Sequence, residues 1–391
     1  MKKKFALATL AFVSTAVLAA CGAAPGGSAG STGNEVGETV KIGYNFELSG
    51  AVAAYGNAEK NGADLAVETI NAAGGVDGKK LEVVSKDNKS DTTEAANVAT
   101  SLTTQDKVVA TIGPATSSNT AAVVNMAQQA AVPLVTPSGT LDSLTLDNSG
   151  KVQDYVFRAT FVDSFQGAIL SQYATDNLKA KKVVLFYDNA SDYAKAVAEQ
   201  FKKTYKGEVV AEETFASGDK DFQAALTKVK DKDFDALVVP GYYTETGLLT
   251  KQAREMGIDK PILGPDGFND PQFVETAGAA NTNNVYYVSG YSTSTSLTSK
   301  SADFVKAYKA KYGEEPNMFA ALAYDSVYMV AEAAKGAKTS KDVATNLASL
   351  KDFEGVTGKF TVDANHNPEK SALVVSLKDG KEDSATPVEV K

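Results

Sequence analysis

The chain has 391 residues, of which 43% are hydrophobic, and its net charge at pH 7 is −9. The acidic balance argues against a nucleic-acid-binding protein, because such proteins present basic patches to the phosphates. One cysteine and one histidine exclude a disulfide framework and a usual zinc site.

Residues 1–20 predict a secretory signal, because three lysines precede an apolar run that ends at Val17. The cut would fall before Cys21, where the sequence Leu-Ala-Ala-Cys resembles the bacterial lipobox, whose cysteine is acylated and becomes the new N-terminus. An ordinary signal peptide with an unused thiol is the alternative. A transmembrane anchor is disfavoured, since a span needs about 20 apolar residues and this run is shorter. Acyl chains such as palmitate on Cys21 would hold the protein on the membrane.

Residues 21–39 are rich in glycine, alanine and serine, so we expect a flexible tether there. The globular part that follows has about 350 residues, which is too long for one core and suits two domains.

Strand and helix patterns then alternate in two series. The first predicts strands at 40–46, 81–85, 108–112 and 133–136, with helices at 57–72, at 118–130, and from the cap residue Asp91 to about 104. The second predicts strands at 182–187, 208–212, 235–239, 261–263 and 285–288, with helices at 193–203, 222–229 and 246–256. A late helix at 317–335 and late strands at 358–362 and 372–377 follow. His366 lies in an Asp-Ala-Asn-His-Asn-Pro turn, which places it on the surface.

Buried strands that alternate with helices predict an α/β fold with parallel sheets. Because the pattern runs twice, we expect two doubly wound parallel-sheet lobes that are joined by a multi-crossover hinge. The expected N-terminal lobe comprises residues 40–160 plus 292–362, and the C-terminal lobe comprises 161–291 plus 363–391.

Ligands of open parallel sheets bind beyond the carboxyl ends of the strands. The loops at 47–56, 113–118, 136–140, 188–193, 240–245 and 264–269 should therefore line one cleft. Hydroxyl side chains at the start of the helix near 118 can be plain N-caps or part of an anion site. Asp266 can be a turn aspartate or the partner of a cation.

The ordered set of loop motifs resembles the branched-chain amino-acid-binding proteins, the solute receptors of ATP-driven (ABC) uptake systems. The motifs are Leu48-Ser49-Gly50 with Tyr55-Gly56, the Ile112-Gly113 loop with Ser117-Ser118, Ser138-Gly139-Thr140, Phe161-Val162-Asp163-Ser164 with Gln166-Gly167, Gly241-Tyr242, and Gly264-Pro265-Asp266-Gly267. The resemblance covers residues 40–380 and implies a type I periplasmic-binding fold with three crossovers between its lobes.

The resemblance also implies a ligand site. Ser117 and Thr140, with backbone N–H groups near Ala115 and Ser118, would hold the ligand carboxylate. In the Ser138-Gly139-Thr140 loop, the carbonyl of Ser138 would accept from the ammonium. Tyr242 and Asp266 would close on the ammonium from the other lobe. Tyr55, Tyr193 and Phe319 would form the wall around the ligand side chain, although each aromatic residue could also be plain packing.

A receptor of this kind would capture leucine, isoleucine or valine outside the cytoplasm and deliver it to the membrane subunits of an ABC permease. It would be a monomer without a cofactor, anchored by lipid to the membrane of a Gram-positive cell. An enzyme is not indicated, since the sequence has none of the common nucleophile, zinc or nucleotide motifs. A receptor of the same fold for another amino acid or an amide, in uptake or sensing, is the alternative. The carboxylate at 266 favours a ligand with an amine.

Overall fold

The computed structural model describes residues 31–388 of the chain. The predicted signal at 1–20, Cys21 and the first part of the predicted tether lie outside the described residues. Within residues 31–388, no helix combines the length and apolarity that crossing a membrane requires. In the same range, no group of histidine, cysteine and acidic side chains is arranged to hold a metal ion.

The first lobe is built on a five-stranded sheet whose pairs are all parallel, in the order β2-β1-β3-β4-β5. Its strands are β1 (Val40–Phe46), β2 (Leu81–Asp87), β3 (Ala110–Ile112), β4 (Leu134–Thr136) and β5 (Val156–Arg158). Its helices in this part of the chain are α1 (Ala53–Ala72), α2 (Thr92–Thr104) and α3 (Ser117–Ala130).

The second lobe begins with α4 (Asp163–Asp176), β6 (Lys182–Asp188), α5 (Asp192–Thr204), β7 (Glu208–Phe215) and α6 (Gln223–Val229). It continues with β8 (Ala236–Val238), α7 (Tyr243–Glu255), β9 (Ile262–Gly264), α8 (Pro271–Ala277) and β10 (Val285–Ser289). The chain returns to the first lobe for α9 (Ser301–Tyr312), α10 (Met318–Ala333), α11 (Ser340–Ala348) and the hairpin β11 (Phe353–Glu354) and β12 (Lys359–Phe360). It ends in the second lobe with β13 (Ala372–Lys378) and β14 (Lys381–Val388).

The second sheet has seven strands in the order β14-β13-β10-β9-β8-β6-β7. Strands β6 to β10 pair in parallel, whereas β13 is antiparallel to β10 and β14 is antiparallel to β13. The prediction of two doubly wound lobes is therefore confirmed. The second sheet departs from parallel pairing only at one edge, where the last two strands form an antiparallel hairpin.

Apolar burial explains the layering of the first lobe. Every residue of β1 except Lys41 is buried, as a strand covered on both faces requires. Helices α1 and α10 pack together on one face of the sheet, and α2 and α3 pack on the other. Asp91 caps α2 by accepting from Glu94 N at 2.9 Å, as predicted.

The chain passes between the lobes three times, after β5, after β10 and after β12. Lys370 in the third passage donates to the carbonyl oxygen of Ala159 in the first passage (2.6 Å) and to Thr357 Oγ1 (2.5 Å). The bond from Lys370 to Ala159 joins two of the segments about which the lobes would rotate.

Part of the expected tether is bound to the first lobe. The Asn34 side chain donates to the carbonyl oxygens of Thr103 (2.9 Å) and Val108 (2.7 Å). The backbone N–H of Val36 donates to the carbonyl oxygen of Lys338 (2.8 Å). Residues 34–36 therefore differ from the expectation of a free tether up to 39, because their polar groups have partners on the lobe.

His366 was predicted on the surface, and this prediction was wrong. The residue is 8% exposed, and its ring stacks on Phe157 with 4.2 Å between ring centroids. Its Nδ1 lies 3.0 Å from the carbonyl oxygen of Val156, and burial lowers the pKa of the imidazole. His366 thus packs against β5, the edge strand of the first sheet, while Ala364 and Asn365 of the same turn face solvent.

Candidate functional site

A small cavity lies between the carboxyl ends of the strands of the two lobes. Its volume is only about 10 Å³, so the residues around it must move apart to admit a ligand. Its lining residues are Tyr55, Ala115, Thr116, Ser117, Ser138, Thr140, Tyr193, Tyr242, Asp266, Gly267 and Phe319. The structure thus brings most of the predicted site residues into one cavity and adds Thr116 and Gly267. Ser118 lies in a neighbouring groove, and Gly139 does not line the cavity.

Two aromatic pairs form the apolar part of the wall. Tyr55 on α1 stacks on Phe319 on α10, with ring centroids 4.2 Å apart. Tyr193 on α5 stacks on Tyr242 with a centroid distance of 5.2 Å and an angle of 4° between the planes. The ring edge of Tyr242 meets Tyr55 at 5.8 Å, so the two pairs join across the lobes. Such rings offer apolar area to an aliphatic side chain.

Asp266 provides the acidic end of the cavity. It lies in the short 3-10 turn Asp266–Phe268 after β9 and is 3% exposed. The hydroxyl of Tyr193 donates to Asp266 Oδ1 at 2.6 Å and accepts from the N–H of Gly267 at 3.0 Å. Burial raises the pKa of Asp266 to about 6. A cation beside this carboxyl would favour its ionised form and lower that pKa.

Ser117 and Thr140 line the cavity from the first lobe. Ser117 Oγ accepts from the backbone N–H groups of Thr140 (3.2 Å) and Leu141 (3.1 Å). Because both bonds use its lone pairs, its own proton is available to an acceptor. Thr140 is held from the second lobe, since the N–H of Asp163 donates to its carbonyl oxygen at 2.9 Å.

The structure differs from expectation at Ala115. Its N–H donates to Glu47 Oε2 (3.0 Å), so this N–H is not free for a ligand carboxylate. Glu47 follows β1 and also accepts from the N–H of Thr116 (3.1 Å) at the start of α3. A carboxylate at a helix N-terminus is favourable. The protein's own side chain therefore uses the anion site that was expected to serve the ligand.

Gly139 supports the site without lining it. A Cβ at this position would lie 2.6 Å from Thr136 Oγ1, so a larger residue would displace the loop. Arg158 on β5 donates to the carbonyl oxygens of Gly139 and Leu141, each at 2.9 Å. These bonds fix the backbone on both sides of Thr140.

Two residues beside the cavity, Gln166 and Tyr243, were not among the predicted site residues. Gln166 on α4 donates to Asp163 Oδ1 (2.8 Å) and accepts from the N–H of Asp266 (3.1 Å). The phenol of Tyr243 contacts the first lobe, where it donates to the carbonyl oxygen of Ala51 at 3.2 Å. Gln166 belongs to the Phe161-Val162-Asp163-Ser164 and Gln166-Gly167 motif, which was the signal for it. For Tyr243 the signal was its place beside Tyr242 in a loop that was expected to line the cleft.

The cavity combines a hydroxyl donor in one lobe, a carboxyl group in the other, and aromatic rings between them. A zwitterion with an apolar side chain has complementary groups at each of these places. Burying its charges without partners would cost several kcal/mol each. The arrangement therefore suits an amino acid that is enclosed by both lobes.

Residues 39–382 match the family described as periplasmic binding protein. The leucine-, isoleucine-, valine-, threonine- and alanine-binding protein of Pseudomonas aeruginosa is 28% identical over 83% of this chain and 86% of its own length. A Leu/Ile/Val-binding protein of Rhizobium johnstonii is 30% identical over 82% of this chain and 87% of its own.

A solved structure of the branched-chain amino acid transporter substrate-binding protein LivJ from Streptococcus pneumoniae contains isoleucine. That protein is 59% identical, with a TM-score of 0.87, and the match covers 90% of this chain and 99% of that chain. The leucine-binding protein LivK of Thermotoga maritima is 31% identical with a TM-score of 0.83, over 89% of this chain and 99% of that chain. Fold and family are those of solute-binding receptors, and this chain belongs to the periplasmic binding proteins, among relatives that bind leucine, isoleucine and valine.

Proposed function

We propose that this protein is an extracytoplasmic receptor that closes its two lobes on leucine, isoleucine or valine and delivers it to an ABC permease. The observation that carries the proposal is that Asp266, Ser117, Thr140 and four aromatic rings line one cavity. The 59% identity to a protein whose structure contains isoleucine supports the same ligand class.

In this proposal the ammonium of the ligand lies beside Asp266, Tyr242 and the carbonyl of Ser138. The carboxylate of the ligand accepts from the hydroxyl of Ser117 and from Thr140. Tyr55, Tyr193 and Phe319 cover the aliphatic side chain. The lobes would comprise residues 40–160 plus 292–362 and 161–291 plus 363–391, and the three chain passages near 160, 290 and 361–371 support these bounds.

The cellular setting is a further part of the proposal. Residues 1–20 would direct export, and acylated Cys21 would anchor the protein, as a monomer, to the outer face of the cell membrane. The tether would extend from Cys21 toward Ser31, whose hydroxyl donates to the carbonyl oxygen of Ala130 at 2.9 Å.

Isothermal titration of the purified protein against leucine, isoleucine, valine, alanine, threonine, glutamate, lysine and amides tests the ligand class. Binding of the three branched-chain amino acids with the charged ones inactive is expected. A receptor that binds a charged amino acid or benzoate, and none of the branched-chain ones, would contradict the proposal. Benzoate belongs in the panel because a Rhodopseudomonas palustris solute-binding protein of similar fold, 25% identical, was solved with it.

A further inference from the structure

Two buried glutamates contact loops on the first-lobe side of the cavity. One is surrounded by hydrogen-bond donors, and the other has a single hydroxyl partner. Glu47 and Glu59 are both fully buried. Glu47 accepts from four donors, which are Ala115 N (3.0 Å), Thr116 N (3.1 Å), Thr116 Oγ1 (3.0 Å) and Asn119 Nδ2 (2.8 Å). Glu59 on α1 contacts the hydroxyl of Ser138 through Oε1, and its Oε2 has no hydrogen-bond partner.

The partners of Glu47 favour the ionised form. Backbone N–H and amide NH₂ groups can only donate, and an ionised carboxylate can only accept. Only the hydroxyl of Thr116 could accept a proton from Glu47, and it would then lose Glu47 as its own acceptor. The start of α3 adds a favourable partial positive charge. The donor set therefore favours a carboxylate at this position.

The partners of Glu59 require the neutral form. Ser138 Oγ lies 2.5 Å from Glu59 Oε1 and 2.9 Å from the carbonyl oxygen of Ala115. A serine hydroxyl has one proton, and a carbonyl oxygen can only accept, so both contacts are hydrogen bonds only if Ser138 donates to Ala115 and accepts from Glu59. The proton between Ser138 and Glu59 then has to come from Glu59.

The unpartnered Oε2 is consistent with this assignment. In a neutral acid it is a carbonyl oxygen, whereas in an anion it would carry half of a buried and unpaired charge, which is much more costly. Burial raises the pKa of Glu59 well above its usual value, and the nearby carboxylate of Glu47 raises it further.

We propose that Glu59 is a neutral hydrogen-bond donor that positions Ser138 and Ala115 for the ligand, while ionised Glu47 positions the start of α3. Glu59 lies one helical turn after Tyr55, so the bond to Ser138 joins α1 to the loop after β4. The bond from Ser138 to Ala115 joins that loop to the one after β3. This inference rests on the proposed amino-acid-binding function.

Four variants of the full-length protein test the assignment by titration with leucine. Glu59→Gln keeps a donor toward Ser138, so its Kd should stay within about threefold of the wild type. Glu59→Leu removes the donor and should raise Kd by about tenfold, which corresponds to about 1.4 kcal/mol. Glu47→Gln places an NH₂ group against donors and should raise Kd by at least about tenfold. Glu68→Gln, on the exposed side of the same helix, is the control and should change nothing.

Infrared spectroscopy supplies a readout that needs no ligand. The difference between wild type and Glu59→Gln at neutral pH should show the loss of a protonated carboxyl C=O band. Loss of a carboxylate band instead would overturn the assignment. An equal loss of affinity in the Gln and Leu variants, both folded by circular dichroism, would overturn the positioning role. If the wild type binds none of the three amino acids, the proposed function fails, and the infrared difference still decides the protonation of Glu59.

Discussion

Replacing Asp266 with asparagine should remove most of the affinity for the ligand while leaving the fold intact. Asparagine keeps an oxygen that can accept from the hydroxyl of Tyr193, which donates to Asp266 Oδ1 at 2.6 Å. What the variant loses is the negative charge beside the ligand ammonium. Truncating one member of a buried charge pair costs about 2–5 kcal/mol, so we expect Kd to rise by roughly 30-fold to several thousandfold.

The pH dependence follows from the direction of the pKa shift. Burial raises the pKa of Asp266 from 3.8 to about 6. An ammonium ligand selects the ionised form, so wild-type affinity should fall below pH 6 by up to about tenfold per pH unit, as one proton must be released. The affinity of Asp266→Asn should be flat over this range. Because its folded pKa is raised, Asp266 stabilises the folded protein fully at pH values below the pKa of the unfolded chain. This stabilisation, about 3 kcal/mol, is lost as the pH rises through 6. At pH 7 the unliganded variant should therefore not be less stable than wild type.

Isothermal titration between pH 5 and 7.5, with thermal melts of the unliganded proteins, measures these effects. Glu245→Gln is a matched control in the same lobe, because Glu245 is buried, has a raised pKa and accepts from Gly218 N without lining the cavity. It should leave Kd unchanged. An unchanged Kd in Asp266→Asn, or a pH dependence that survives the substitution, would refute the ammonium role of Asp266.

Cys21→Ser should release the protein from membranes, since lipid on Cys21 is the proposed anchor. If the processed variant remains in the membrane fraction after a high-salt wash, the anchor lies elsewhere. Leucine, isoleucine and valine should all bind, with valine weakest or close to it, because a methylene is worth only about 10–200-fold in an apolar pocket. Tight binding of glutamate or lysine in the same titration would contradict the apolar wall. Tyr243→Phe removes the bond to the carbonyl oxygen of Ala51, so Kd should rise by about three- to tenfold through faster release in stopped flow. A changed preference among the three ligands would show that Tyr243 contacts the ligand directly.

The sequence predicted the elements whose apolar pattern is regular. The strand at 40–46 and the cap of α2 at Asp91 are examples. Helix α4 was not predicted, because its buried face includes the polar residues Asp163, Gln166 and Ser171, which interrupt the apolar stripe. Strand β5 has only three residues, Val156–Arg158, and one of them is a buried arginine. Both elements carry groups that support the site, so their departure from the apolar pattern has a functional origin.

The cavity was partly predictable for a different reason. Loops at the carboxyl ends of parallel strands converge, so Tyr55, Ser117 and Asp266 could be grouped without knowing any contact. Glu47 and Glu59 could not, since carboxylates are usually exposed and neither has a sequence neighbour as a partner. Only hydrogen bonds to residues about 70 to 80 positions away explain why they are buried.

Closure of the lobes depends on a balance between the bonds that join the lobes and the cost of burying Asp266. Bonds of the protein itself join the lobes, since Tyr55 donates to the carbonyl oxygen of Gly267 (2.5 Å) and Asn317 Nδ2 donates to Asp270 (2.9 Å). Closing also buries Asp266, and without a cation beside it this carboxyl must bind a proton or lose hydration at a cost. An ammonium removes that cost only in the closed state. The ligand thus has the differential affinity that a shift of the open–closed equilibrium requires, and a permease that recognises the closed form could read occupancy from it.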